Sequence, residues 1–192
     1  IDKYMGDAIM AFWNAPVTVE DHALEACRTA LAMRRRLTDL NARWHKEYAH
    51  TGHTFPGVAI GIGLNTDLCC VGNLGSEQRF DYSALGDGVN LASRLEGQSK
   101  TYGLDTVVSE STVAACGDRM AALELDLIRV KGKREPARIF TLIGDGALWT
   151  DAGFAAFAEC HDEMIAAYRR QDWDRADQAA EACRRELAAS PG

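Results

Sequence analysis

Hydrophobic positions at the start of the chain fall into two short extended runs, Ile1–Met5 and Ala8–Trp13, either side of a Gly6-Asp7 pair. Gly-Asp between two such runs predicts a β-hairpin closed by a two-residue turn. Pro16 ends the pattern. From about Glu20 to Tyr48 the period changes: Leu24, Cys27, Leu31, Leu37, Leu40 and Trp44 recur at helical spacing, predicting one long amphipathic helix. Thr18, with Asp21 three residues on, is its expected cap. Arg34, Arg35, Arg36 and Lys46 mark its solvated face.

After a loop over Gly52 to Pro56, the β-branched, glycine-containing Val58–Leu64 predicts a buried strand. Cys69–Val71 and Phe80–Leu85 predict two more, joined by the turn-rich Gly72–Glu77. A helix is expected from about Gly88 to Tyr102, with Asp87 as N-cap and Gly103 as its stop. Thr106–Ser109 reads as a strand and Glu110–Cys116 as a short helix. Leu123–Val130 and Ala137–Ile143 read as strands around Lys131-Gly132-Lys133. Gly144–Thr150 reads as a linker. Asp151–Pro191 has only helical signals, broken near Gln171-Asp172, with Phe154, Phe157, Met164, Ile165, Tyr168, Trp173, Ala176 and Ala180 as its expected buried set. The order of elements lacks a regular βαβα repeat. It predicts an α+β fold, a sandwich with a mostly antiparallel sheet covered by helices, plus a C-terminal helical hairpin. The expected division is residues 1–144 for the main domain and 145–192 for the helical tail. Tyr168…Trp173…Ala176 is similar to part of a tetratricopeptide unit, and one unit cannot bury its own face. The tail is therefore expected to pack on the main domain, the alternative being that further repeats follow; it is also a candidate surface for a protein partner.

Composition narrows the picture only a little. The 192 residues are 47% hydrophobic and 26% charged, an ordinary globular balance. A net charge of -7 argues against broad nucleic-acid contact, which needs clustered Lys and Arg. The six cysteines form no C-x-x-C pair, so reduced thiols in a cytoplasmic protein are expected. No apolar run approaches the ~20 residues of a membrane span. The chain opens on Ile, so a fragment is expected, with any sensor or membrane segment upstream. Gly61-Ile62-Gly63 lacks the third glycine of a dinucleotide fingerprint and is assigned to a strand. His50 and His53 have no Cys or third His nearby and are not expected to bind metal.

Three stretches carry candidate chemistry: Lys3-Tyr4-Met5-Gly6-Asp7-Ala8, Asp81 to Glu96 (DYSALGDGVNLASRLE), and Val130-Lys131-Gly132-Lys133. Asp7 sits at a hairpin tip, where a carboxylate can reach a metal or simply cap a turn. Asn90 and Arg94 are spaced i, i+4 and share a helix face, with Leu91 and Leu95 on the adjacent stripe. Arg94 can instead pair with Glu96. Lys131 and Lys133 are each a point charge suited to phosphate or to solvent.

In this order the three stretches resemble the catalytic signature of class III adenylate and guanylate cyclases, over roughly residues 1 to 144, with a palm-type, ferredoxin-like fold. The resemblance implies conversion of ATP to 3′,5′-cyclic AMP and pyrophosphate, in signal transduction, with two Mg²⁺ or Mn²⁺ ions. It assigns Asp7 to metal, Asn90 to the ribose, Arg94 to transition-state phosphate charge, and Lys131, favoured over Lys133 by register, to the triphosphate. Lys3 and Ser83 match the base-specifying pair. A Lys donor and a hydroxyl acceptor complement the ring nitrogen and amino group of adenine. Guanylate cyclases typically carry Glu at the first position. Ser83 resembles the Thr/Ser variant of many bacterial members, and a hydroxyl selects less sharply than a carboxylate. Some of these respond to bicarbonate, a hypothesis here that an unchanged rate at fixed pH would remove. Family sites form between two chains, so a homodimer with shared sites is expected and an inactive monomer. The family's first metal aspartate, in a Phe-x-Asp segment before the hairpin, has no counterpart in this chain. The chain by itself is expected to cyclise ATP poorly and a longer parent to do so well. Rival readings are a guanylate cyclase and a catalytically silent nucleotide-binding or dimerisation module.

Overall fold

The computed structural model of the chain describes residues 1–76, 79–129 and 136–189. It divides into two compact units, Ile1–Val107 and Val108–Gly192. The architecture is α+β, and helices and short antiparallel ladders alternate along the chain.

The first unit opens with β1 (Lys3–Met5) and β2 (Ala8–Met10), paired antiparallel with Lys3 opposite Met10 and Met5 opposite Ala8. Gly6 has φ +65°, and Asp7 is not among the residues of positive φ. That is the sign pattern of a type II′ hairpin turn, which glycine adopts without strain. Helix α1 (His22–Ala49) buries Ala23, Leu24, Cys27, Ala30 and Leu31. Its start differs from expectation. Asp21 occupies the cap position without a side-chain capping bond, and Thr18 has no part in it; His22 N–H donates to the Val19 carbonyl at 3.2 Å. Nor is its charged face wholly solvated, because Arg34 Nε donates to Asp105 at 2.8 Å.

The strand expected over Val58–Leu64 contracts to β3 (Ile62–Leu64). At Val58 the main chain is taken by a side chain instead: Asn41 donates to its carbonyl at 2.8 Å and accepts from its N–H at 2.9 Å. The expected turn over Gly72–Glu77 is a strand for most of its length. Strands β4 (Cys70–Ser76) and β5 (Arg79–Leu85) pair antiparallel from Cys70–Leu85 onward, including Gly72 opposite Ser83. Backbone pairing along the whole ladder overrides the low strand propensity of the glycines. Helix α2 (Asp87–Tyr102) starts one residue early, with Gly86 at the cap, and stops at Gly103, whose φ of +65° ends it as expected.

Strand β6 (Thr106–Ser109) is buried at every position and contains the division between units. In the second unit Ser109 caps α3 (Glu110–Cys116) by accepting from Thr112 N–H. Strands β7 (Met120–Ile128) and β8 (Ala137–Asp145) form an antiparallel pair with register shifts near Ala121 and Glu124. The expected linker is the end of β8 followed by a 3₁₀ turn, Gly146–Thr150. Gly146 is required there: a Cβ would lie 2.3 Å from the Asp118 carbonyl oxygen. Helices α4 (Ala152–Arg169) and α5 (Trp173–Ala189) make the C-terminal hairpin. Its buried positions are Ala158, Ala167, Ala179 and Cys183, whereas Tyr168 and Trp173 are more than half exposed and pack on each other edge-on at 5.8 Å.

Candidate active site

The hairpin and the β4–β5 ribbon meet through a carboxylate that the sequence did not single out. The Asp2 side chain is only 2% exposed. Ser83 Oγ donates to Asp2 Oδ2 at 2.6 Å, and Lys3 Nζ lies 3.7 Å from Asp2 Oδ1. Asp2 N–H donates to the Met10 carbonyl at 2.9 Å, so its main chain is fixed by the hairpin ladder. Phe12 packs on Tyr82 at 6.2 Å and ties the same two segments together. Lys3 and Ser83, widely separated in sequence, therefore share one buried anion. A buried carboxylate must be paired and hydrogen-bonded to be tolerated, and these two residues do that. No local pattern could have revealed Asp2, because its partner is 81 residues away.

Asn90 and Arg94 stand on α2, Asn90 exposed and Arg94 half-buried. The expected stripe beneath them is present: Leu91 and Leu95 are buried, Leu95 completely. Arg94 does not pair with Glu96, and it has no ion pair among the described residues. Three glycines set the height of this helix. A Cβ on Gly63 would lie 2.1 Å from the Ala92 carbonyl oxygen and 2.3 Å from the Glu96 nitrogen. One on Gly61 would lie 2.4 Å from Ser99 Oγ, and one on Gly88 would lie 2.5 Å from Asp67 Cβ. The Gly61-Ile62-Gly63 pattern thus serves close strand–helix packing. Asn65 Nδ2 adds a bond to the Gly88 carbonyl at 3.0 Å, fixing the first turn of α2.

Asp7 projects from the hairpin tip, exposed, and has no ion pair or side-chain hydrogen bond among the described residues. No bond joins it to α2 there, so Lys3 with Ser83, Asn90 with Arg94, and Asp7 form three separate presentations within one unit. Lys131 lies outside the described residues. Among the described residues no three His, Cys, Asp or Glu converge to hold an ion. A Mg²⁺ bound through one or two carboxylates and substrate phosphates needs no such cluster, so Asp7 fits that donor set. Burial first, then the Asp67 charge, push the thiol of Cys69, near Gly86, above its ordinary value.

A family model described as "Adenylate and Guanylate cyclase catalytic domain" matches residues 3–144. "Adenylate cyclase 1" of Rhizobium meliloti (strain 1021) is 37% identical over 158 residues, covering 81% of this chain and 23% of that protein. The chain spans about a quarter of the length of the curated relatives it first matches. Among solved structures, the adenylyl cyclase CyaB of P. aeruginosa aligns with a TM-score of 0.64 at 32% identity, over 75% of this chain and 71% of that one. The guanylyl cyclase Cya2 aligns with a TM-score of 0.60 at 31% identity, over 76% and 70%. No described helix is long and apolar enough to cross a membrane.

Proposed function

The chain belongs to the adenylate and guanylate cyclase catalytic domain family, and from that premise we propose that it is the catalytic part of an adenylate cyclase. The reaction forms a bond between the ribose 3′-oxygen and the α-phosphorus and breaks the bond to the departing pyrophosphate. The fold does not choose the base, since adenylyl and guanylyl cyclases match it about equally well. One observation carries the choice. Lys3 and Ser83 converge on Asp2, which gives a cationic donor beside a hydroxyl acceptor. That pair complements the N1 acceptor and exocyclic amino donor of adenine and opposes the guanine edge.

On this reading Asn90 orients the ribose. Arg94, one helical turn away, bonds α-phosphate oxygens with its planar fork as charge builds there. Its lack of an ion pair among the described residues supports that role, because a guanidinium already paired is not free to do it. Lys131 holds the triphosphate. Asp7 would hold a divalent ion. Such ions, when bound, neutralise phosphate charge and make the 3′-hydroxyl more acidic.

Two chains complete the site, with Asp7 of one facing the base- and phosphate-binding residues of the other. Exposed Tyr4, Met5, Ile9, Phe80 and Leu85 on the hairpin and ribbon support a homodimer, since apolar side chains gathered on two neighbouring elements mark an interaction surface. The setting is cytoplasmic signal transduction. The test is complementation in the natural full-length protein. Asp7→Ala and Arg94→Ala should each lower cyclic AMP formation by at least about a hundredfold. Mixed together, they should recover a substantial fraction, because a mixed dimer keeps one intact site. Two inactive variants that stay inactive as a proven mixed dimer would refute shared sites.

A further inference from the structure

Ser83 by itself is ambivalent, because a hydroxyl can donate to guanine O6 as readily as it can accept from the adenine amino group. The structure removes that ambivalence. The Ser83 hydroxyl proton is committed to Asp2 Oδ2 at 2.6 Å, and both groups are buried, Ser83 at 5% exposure and the Asp2 side chain at 2%. With little water present, the hydroxyl has no alternative acceptor to turn toward. Its lone pairs alone are left for a base.

We propose that Asp2 is a positioning residue that sets base selectivity: by accepting the Ser83 proton it fixes that hydroxyl as an acceptor, and by facing the Lys3 ammonium it holds the donor beside it. The inference rests on the adenylate cyclase reading above. Asp2 thereby converts a serine into a functional equivalent of a carboxylate acceptor without placing a second charge against the base. A guanine would then meet two mismatches, its O6 against Ser83 lone pairs and its N1–H against the Lys3 ammonium. Asp2 touches no substrate atom in this scheme. It acts only through Ser83 and Lys3.

Asp2→Asn separates this role from simple packing, because the amide keeps the shape of the carboxylate. Lys3 draws the amide oxygen, leaving the amide nitrogen to donate to Ser83 Oγ. The Ser83 hydroxyl is then free to donate, and its polarity is inverted. The measurement is kcat/KM for ATP and for GTP in the full-length protein, for the wild type, D2N, S83A and the double variant. The ATP-to-GTP ratio should fall about tenfold in D2N, the usual penalty for one mispaired buried group, with part of the change a gain on GTP. In the S83A background the D2N effect on the ratio should shrink to what Asp2 contributes through Lys3 alone. S83A breaks the same bond from the other end, so it serves if D2N fails to fold, and it too should lower the ratio. A D2N ratio equal to wild type, an equal D2N effect in both backgrounds, or an S83A enzyme with full ATP preference would each overturn the proposal. A wild type that does not prefer ATP overturns the adenylate cyclase reading instead, and the two failures are told apart by that first measurement.

Discussion

Gly63→Ala is a small change whose cost can be worked from the packing of β3 on α2. Gly63 is not among the positive-φ glycines, so alanine meets no backbone strain there. Space is the whole issue. The added carbon would sit 2.1 Å from the Ala92 carbonyl oxygen and 2.3 Å from the Glu96 nitrogen. An ordinary carbon–oxygen approach is about 3.3 Å, so the helix must retreat by about 1 Å. Both obstructing atoms are backbone, and no rotamer change relieves them. Overpacking of this kind costs about 1–3 kcal/mol. Against it stands a gain of about 0.4–1 kcal/mol from stiffening the unfolded chain, so the net loss is centred on about 1.3 kcal/mol and reaches at most about 2.6 kcal/mol. Gly97 supplies the control. It lies on the same helix with nothing within 4 Å of an added Cβ, so Gly97→Ala should stabilise by about 0.5–1 kcal/mol. Urea unfolding of the 192-residue chain should lower the midpoint for Gly63→Ala and raise it for Gly97→Ala. A retreat of 1 Å also moves Asn90 and Arg94, and misplacement on that scale costs about a hundredfold in rate. Equal midpoints for the two variants would refute the packing argument.

Two further outcomes follow from burial. Leu95 is completely buried beneath the Asn90–Arg94 face, so Leu95→Ala should cost about 2–5 kcal/mol by denaturant unfolding, and a loss under 1 kcal/mol would contradict that placement. Burial lowers the pKa of His161 more than the adjacent Asp162 raises it. The unfolded chain therefore binds the extra proton more readily, and the folded state loses stability as pH falls through about 6.5, the unfolded value; His161→Gln should flatten that limb of the stability–pH curve.

Features encoded by neighbours in sequence were legible without the structure. The Gly6-Asp7 turn, the Asn90–Arg94 face over Leu91 and Leu95, and the Gly103 stop each depend on residues within about one helical turn. Features set by distant partners were not. Asp2 gains its role only when Ser83 arrives beside it. Asn41 takes over the Val58 main chain and shortens a strand that its own residues favour. Gly72 reads as a turn residue, yet cross-strand pairing with Ser83 places it in a strand. In the C-terminal hairpin, hydrophobicity pointed to Tyr168 and Trp173. Alanines and a cysteine fill the seam instead, because small side chains let two helices approach closely. Arg34 was assigned to solvent for the same reason: its partner, Asp105, lies 71 residues on.

The most direct measurement is product formation by the full-length protein from ATP and GTP, run in parallel with Mn²⁺ and with Mg²⁺. Cyclic AMP and pyrophosphate in equal amounts, with ATP favoured over GTP by at least about tenfold in kcat/KM, is the expected result. Equal use of the two nucleotides, a preference for GTP, or tight ATP binding without any cyclic product would contradict it.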